Sequence, residues 1–179
     1  MELVILSIIL LIFLSLTLVF LFTTFLKALL PLIFWGAIYV PSNRDRIKKI
    51  IELAEIKPGE KAVDLGSGDG RIVIALAEAG AEAYGYEINP ILVRKSRRNI
   101  RKARLENKAF IILGSFWQAD LSKFDIITIY GMQHVMRRLE KKSRKELKKD
   151  ARIVSNAFEF PTWSPKKKDN GVYLYENNF

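Results

Sequence analysis

The first forty residues of the chain have a different hydrophobic pattern from the rest. Residues Leu3 to Leu26 form a run of 24 residues without a charged side chain. As a helix, such a run is about 36 Å long and exceeds the roughly 30 Å hydrocarbon core of a bilayer. A cleaved signal peptide has a basic start and a shorter apolar core, and this chain has neither. The pattern therefore predicts an uncleaved transmembrane anchor over residues 1–27.

A second apolar segment, Ala28 to Val40, follows the anchor and is interrupted by Pro31. It is too short to span a bilayer, and its Trp35 and Tyr39 are typical of side chains at a membrane–water interface. We therefore expect residues 28–41 to be an interfacial or linker segment. Packing of this segment against the following domain is the alternative.

The charges that flank the apolar region predict its orientation. No basic residue precedes the span, whereas four follow within the next helix: Arg44, Arg46, Lys48 and Lys49. Because basic flanks stay on the cytoplasmic side, we expect a single-pass protein with its N-terminus outside and the remaining chain in the cytoplasm.

From residue 42 onward, helix-like and strand-like periods alternate. Ser42 or Asn43 can cap a helix that runs through Ile56. Strands are predicted near 61–65, 82–87, 109–113, 125–130, 152–158 and 172–176, and helices near 70–79, 90–105 and 133–149. Residues 166–171 read as a polar loop or hairpin turn. This alternation predicts one α/β domain over residues 42–179, Rossmann-like, with a mostly parallel sheet covered by helices on both faces.

Composition excludes several kinds of chemistry. The 179 residues contain no cysteine and one histidine, His134. Disulfides, thiolate metal sites and cysteine nucleophiles are therefore excluded, and no metal site is predicted. We expect His134 to be a helix residue without a catalytic role.

The most informative stretch, Val63 to Gly70, carries the pattern D-x-G-x-G-x-G between a predicted strand and a predicted helix. Glycines at such a turn let the backbone approach a nucleotide-like ligand closely. The third glycine comes one residue earlier than in dinucleotide motifs. Asp64, just before the first glycine, suits a cationic amine better than a phosphate, because like charges repel. Glu87 ends the next strand, where its carboxylate can accept hydrogen bonds from both hydroxyls of a ribose.

This pattern resembles motif I of the class I S-adenosylmethionine (SAM) methyltransferases. Further motifs narrow the resemblance over residues 37–179: Tyr39-Val40-Pro41-Ser42, DLGSGDGR at 64–71, Gly85-Tyr86-Glu87-Ile88-Asn89, Gly114-Ser115-Phe116-Trp117, Leu139-Glu140-Lys141-Lys142, Arg152-Ile153-Val154-Ser155 and Val172-Tyr173-Leu174-Tyr175. The chain is similar to archaeal protein lysine methyltransferases and to the membrane-anchored lysine methyltransferases of the ATP synthase c subunit and the adenine nucleotide translocase.

The resemblance implies SAM as the cofactor and assigns its binding residues. They are Asp64, Gly66, Ser67, Gly68, Gly70 and Glu87, with Ser115 and Phe116 near the adenine. Many relatives have an aspartate where Ser115 stands. Tyr39 and Tyr130 are expected to shape the entrance for a substrate lysine, since aromatic faces attract cations. Core packing is the alternative for both, and is expected for Phe158 and Phe160.

The net charge of +10 is concentrated in two predicted helices. Such helices attract nucleic acid, anionic lipid or acidic proteins, or they are simply solvated. In the predicted fold the two helices lie on opposite sides of the sheet, which argues against a nucleic-acid partner. We therefore expect a protein substrate with a target lysine, methylated at the cytoplasmic face of a membrane. Methylation of a lipid or small hydrophobic molecule, or of RNA, is the alternative.

Overall fold

The computed structural model describes residues 2–34 and 41–178, and the chain divides into two compact units, Met1–Ile38 and Tyr39–Phe179. The first unit contains one helix, α1 (Glu2–Phe34). Its stretch Ile5–Leu26 has a mean hydropathy of 3.0, so α1 is long and apolar enough to cross a membrane by length and composition. The helix continues past residue 27, where the anchor was predicted to end.

All side chains of residues 5–26 are exposed, and they include 17 large apolar side chains. The polar exceptions are satisfied within α1. The hydroxyls of Ser15, Thr17, Thr23 and Thr24 donate hydrogen bonds to backbone carbonyls three or four residues earlier, at 2.8–3.0 Å. These hydroxyls therefore need no hydrogen bond to water, which is the condition that a helix in lipid must meet.

The second unit is built on a seven-stranded sheet in the order β3-β2-β1-β4-β5-β7-β6. Its strands are β1 (Lys61–Leu65), β2 (Glu82–Glu87), β3 (Ala109–Leu113), β4 (Ile126–Ile129), β5 (Arg152–Asn156), β6 (Lys167–Asp169) and β7 (Val172–Glu176). The first five are parallel, and β7 is antiparallel to both of its neighbours. The predicted Rossmann-like α/β fold is confirmed.

Four helices cover the two faces of the sheet: α2 (Arg44–Ala54), α3 (Arg71–Glu78), α4 (Pro90–Lys102) and α5 (Gln133–Glu146). Strand side chains alternate between faces, so Ala62 packs in one apolar cluster and Val63 in the other. The first cluster holds the buried residues of α2, α3 and α4, and the second those of α5. The two basic helices α4 and α5 therefore lie on opposite faces, as predicted.

The strands differ from the prediction mainly in the end of β5 and in the presence of β6. β5 ends at Asn156 instead of residue 158 because Ala157 has a φ of 73°, which a continuing strand does not allow. β6 is a short additional strand, fully exposed and therefore without an apolar pattern to predict it. It pairs with β7 across Asn170 and Gly171, both with positive φ. The hairpin turn predicted for residues 166–171 is thus confined to these two residues, and Lys167–Asp169 form a strand instead.

Candidate active site

The glycine turn, residues 66–70, joins the carboxyl end of β1 to α3. Its three glycines have φ of 90°, 55° and 81°, a region that glycine enters without strain. The N–H groups of Gly66 and Ser67 both donate to the carbonyl of Tyr86 at 2.9 Å, which fixes the turn against β2. A Cβ added at Gly66 would meet no atom within 4 Å, so the space beside this residue is open to a ligand.

Two other glycines are required by packing. A Cβ at Gly70 would overlap the hydroxyl of Ser96 on α4. A Cβ at Gly85 on β2 would lie 2.6 Å from the Ser67 side chain and 2.8 Å from Val73. The Ser67 hydroxyl is buried and has no hydrogen-bond partner among residues 41–178. Close approach of α3 and α4 to the strands therefore holds the turn in place and leaves the Ser67 hydroxyl available for a hydrogen bond.

Asp64 lies on β1 directly before the turn and is only 2% exposed. The Thr128 hydroxyl on β4 donates a hydrogen bond of 2.7 Å to its carboxylate. Burial raises the pKa of Asp64 to about 7, assisted by the negative charge of Glu87 and opposed by the Thr128 hydrogen bond. A buried carboxylate of this kind gains most from a cationic partner, because pairing offsets the cost of ionising it away from water.

Glu87 ends β2 beside the glycine turn and is 8% exposed. Its two carboxylate oxygens accept separate backbone hydrogen bonds of 2.8 Å, from the N–H groups of Gly68 and Asn89. Each oxygen keeps a further lone pair, so the carboxylate can still accept two hydroxyl groups. The glycine turn and the start of α4 therefore orient this side chain for a diol.

The segment after β3 lies next to Glu87. Leu113 pairs with Glu87 in the parallel register, and the Gly114 N–H donates to the Glu87 carbonyl at 2.9 Å. Ser115 starts a short 3-10 turn, Phe116–Gln118. The rings of Phe116 and Trp117 are 4.7 Å apart and only partly buried. Both predicted adenine-side residues, Ser115 and Phe116, thus lie at the same edge as the predicted ribose carboxylate.

We refer to the glycine turn, Glu87–Asn89 and residues 114–117 as the cofactor side. Residues 41–43, Tyr130 and the loop that follows Asn156 form the acceptor side. Tyr130 follows β4, whose Ile129 pairs with Leu65, so it lies across from the glycine turn with 38% of its surface exposed. Tyr39, the second predicted entrance residue, lies outside the described residues.

A hydrogen-bond chain that the sequence did not indicate links the two sides. Arg71, the first residue of α3, forms two hydrogen bonds of 2.9 Å with the buried Asp69 carboxylate. Its remaining Nη donates to the Ser42 carbonyl at 2.7 Å. The Asn156 side-chain amide donates to the Ser42 hydroxyl at 3.2 Å, while the Asn156 Oδ1 is buried without a partner among residues 41–178.

Of these residues, Asn156 was the one that sequence reasoning could have identified. It ends a parallel strand at the carboxyl edge, where ligands bind in open α/β sheets, but the predicted strand ran past it. Arg71 and Asp69 were visible in the glycine motif without an indication of their partners. Thr128 sits in an apolar strand, and only the β1–β4 pairing places it opposite Asp64.

The remaining candidate aromatics belong to the core. Phe160 and Trp163 are buried with Tyr175 in one aromatic group, and Phe158 packs against the same cluster. His134 is exposed on the first turn of α5. Within residues 41–178 no group of three or more metal-binding side chains is present.

Comparison with known proteins gives the site its context. A family model for the ANTKMT methyltransferase domain matches residues 64–167, more than half of the chain. The human lysine N-methyltransferase of the ATP synthase c subunit is 38% identical over 127 residues, which are 71% of this chain and 54% of the human protein. The chain thus spans about half the length of that relative. A protein-lysine N-methyltransferase of Saccharolobus islandicus is 35% identical over 147 residues, 76% of this chain and 91% of the archaeal protein.

A solved structure agrees with the fold and the site. The RNA methyltransferase from Salinibacter ruber, in complex with S-adenosyl-L-homocysteine, superposes with a TM-score of 0.74 and 31% identity, covering 78% of this chain and 94% of that chain. SAM is the cofactor that this family uses, and the residues present fit it. The Asp64 carboxylate suits the amine of SAM, and Glu87 suits the two hydroxyls of its ribose. The open space at Gly66 leaves room for the methionine part of SAM along the backbone. The protein belongs to the ANTKMT methyltransferase domain family, with the class I SAM-dependent methyltransferase fold.

Proposed function

We propose that this protein is a SAM-dependent protein-lysine N-methyltransferase. The observation that carries the proposal is the similarity to the Saccharolobus islandicus protein-lysine N-methyltransferase, which this chain matches over 91% of its length. The similarity to the human lysine N-methyltransferase of ATP synthase supports the same substrate class. The match to the family model, residues 64–167, includes the glycine turn and Glu87.

The residues of the site suit transfer to an amine. When bound, SAM supplies a methyl group already activated by its sulfonium. Asp64 and Glu87 fix the two ends of the cofactor site, so position and a dry pocket are the main contributions of the protein. A lysine ammonium must lose a proton to solvent before its nitrogen attacks. Tyr130, exposed across from the glycine turn, offers an aromatic face that attracts this cation and then holds the neutral amine.

Membrane anchoring by residues 3–26 is part of the proposal. Their side chains are all exposed where described, and their hydroxyl groups bond within the helix. A contiguous apolar surface of this size marks contact with a membrane or another protein. We place an anchor at residues 1–27, a linker at 28–41 and the methyltransferase domain at 42–179 on the cytoplasmic side. Substrates in or near the membrane are then favoured.

RNA methylation is the second candidate, and one observation favours it: the Salinibacter ruber relative is described as an RNA methyltransferase. The basic helices α4 and α5 lie on opposite faces of the sheet, so they do not form one cationic groove around the site. Duplex and single-stranded RNA are held in such grooves. The chain's charge distribution therefore fits a protein substrate better. Methylation of a lipid is the third candidate.

The test is transfer of a tritiated methyl group from SAM to membranes and soluble fractions that contain the full-length protein. After phenol and organic extraction, the counts in protein, RNA and lipid are measured, and the protein is hydrolysed for amino-acid analysis. We expect label as methyl-lysine in protein, absent with Glu87→Gln. Label in RNA or organic extract, with none in protein, would overturn the lysine assignment while leaving the cofactor site intact.

A further inference from the structure

The two basic helices differ in how their charges are neutralised. In the α5 region, Lys142 pairs with Glu146 at 2.6 Å and Lys148 with Asp125 at 2.5 Å. The α4 region, residues 90–108, holds eight Lys and Arg side chains and one acid. Among residues 41–178, seven of these eight cations form no ion pair: Arg94, Arg97, Arg98, Arg101, Lys102, Arg104 and Lys108. In residues 132–150, five of the eight cations form no ion pair with another residue of 41–178, and the region holds three acids. The α4 region therefore carries the larger uncompensated positive charge.

Three of these cations, Arg94, Arg98 and Lys102, lie on the outward stripe of α4. The inward stripe is Val93, Ser96 and Ile100, all buried. Opposite it, at spacings of three and four residues, lie Ile91, Arg94, Lys95, Arg98 and Lys102. Ile91, at the amino end of the stripe, is 65% exposed. The surface thus begins with a large apolar side chain and continues with positive charge along three helical turns.

The strand beneath this helix extends the apolar part. β3 is the edge strand of the sheet, and its last residue, Leu113, is 55% exposed. Leu113 is on the same strand face as Ala109 and Ile111, which pack in the cluster beneath α4. Ile91 and Leu113 therefore both lie at the carboxyl edge of the sheet, on the face that α4 covers.

We propose that this α4–β3 surface, formed by the outward stripe of α4 and Leu113, docks the domain on an anionic lipid bilayer. Cations beside exposed large aliphatic side chains are the pattern of interfacial surfaces, where the charges meet lipid headgroups and the aliphatic groups enter the boundary with the acyl chains. A convex helix that carries isoleucine offers no aromatic stacking and no groove to RNA. The lipid surface is the partner that this combination fits.

Docking of this surface has a consequence for the site. Leu113 pairs in register with Glu87, so the surface adjoins the cofactor side at the carboxyl edge of the sheet. With Ile91 and Leu113 at the bilayer, the carboxyl edge of the sheet, which carries the site, lies close to the membrane surface. The inference rests on the proposed membrane anchor, and goes beyond it by fixing which face of the domain meets the lipid.

The natural absence of cysteine makes a clean test possible. In full-length protein, Lys95→Cys on the outward stripe of α4 (the α4 label) and, separately, Lys149→Cys after α5 each receive an environment-sensitive fluorophore. The proteins are reconstituted into phosphatidylcholine vesicles with and without about 30% phosphatidylglycerol, together with a nitroxide-labelled lipid as quencher. Flotation first reports whether the chain is anchored, which separates failure of the anchor from failure of the docking.

We expect quenching at the α4 label on anionic vesicles only, reversed at about 0.5 M NaCl, and none at the Lys149→Cys label. Arg94→Gln/Arg98→Gln/Lys102→Gln should lower the docked-to-undocked ratio roughly 100-fold, since each cation contributes about fivefold near an anionic surface. The matched control is Arg137→Gln/Lys141→Gln/Lys145→Gln, which removes equal charge from the opposite face and should retain quenching. Anchored protein with no quenching at α4, equal quenching at both labels, or binding to RNA in its place would overturn the proposal.

Discussion

The cofactor side and the acceptor side of the site are built in different ways. On the cofactor side, backbone N–H groups hold the Glu87 carboxylate and the carbonyl of Tyr86, and close packing requires Gly70 and Gly85. On the acceptor side, Tyr130 is exposed and the contacts come from side chains such as Asn156. The difference indicates that the first side is fixed before any ligand binds, while the second side admits different acceptors on one scaffold.

The cofactor side should be the more sensitive to a single conservative change. Glu87→Gln keeps the volume but replaces one acceptor oxygen with an amide donor and removes the charge. Losing one charge-assisted hydroxyl hydrogen bond and weakening the other costs about 3 kcal/mol, so SAM affinity should fall roughly 100-fold by titration calorimetry. Tyr130→Phe serves as the control and should bind SAM normally. Equal affinity in wild-type and Glu87→Gln protein would remove Glu87 from the cofactor site.

Packing around the glycine turn predicts the next largest effect. Gly70→Ala introduces a Cβ at positive φ and overlaps the Ser96 side chain, so the free energy of unfolding should fall by about 2 kcal/mol. Denaturant unfolding measures it. Gly70→Ala should cost less free energy of unfolding in a Ser96→Gly protein than in the wild type, because the overlap is then gone. The cost that remains is due to the positive φ. If the double variant recovers nothing, the turn is not held by its contact with α4.

The buried acid of the cofactor side predicts a pH dependence. The folded pKa of Asp64 is about 7, above its ordinary value of 3.8, so the folded protein takes up a proton as pH falls through 7. Domain stability should therefore decrease as pH rises from about 4 to 7. A cationic cofactor favours the ionised acid, so SAM affinity should rise about tenfold between pH 6 and 8 and then level off. In the Asp64→Asn variant, SAM affinity should not change between pH 6 and 8. A tenfold rise in that variant would show that another group causes the pH dependence.

The acceptor side predicts the smallest effect. Tyr130→Ala removes an exposed aromatic face worth about 0.5–1 kcal/mol to a cation, so methyl transfer to protein should slow about two- to fivefold. The SAM dissociation constant should stay unchanged, because Tyr130 lies across the turn from Glu87. Separate measurements of transfer rate and SAM binding test this division. A parallel decrease in transfer rate and in SAM affinity would show that the cofactor side and the acceptor side do not act separately.

The same comparison explains what the sequence could predict. The glycine spacing, Asp64 and Glu87 could be recognised locally. A turn at the end of one strand and an acid at the end of the next each depend on residues that are close in sequence. The sheet followed from the alternation of apolar strands and amphipathic helices. Contacts such as Thr128 with Asp64, 64 residues apart, and Asn156 with Ser42, 114 residues apart, depend on strand order and register. No local pattern encodes them.

The most direct measurement uses the ten glycines of the chain as reporters. Full-length protein labelled with ¹⁵N-glycine is titrated with SAM, and the amide resonances are followed by NMR. The amides of Gly66, Gly68 and Gly70 should shift saturably, whereas Gly59 and Gly80, at the opposite edge of the sheet, should not move. Saturating SAM that leaves the three glycine-turn amides in place, or shifts only Gly59 and Gly80, would contradict the assignment of the cofactor site.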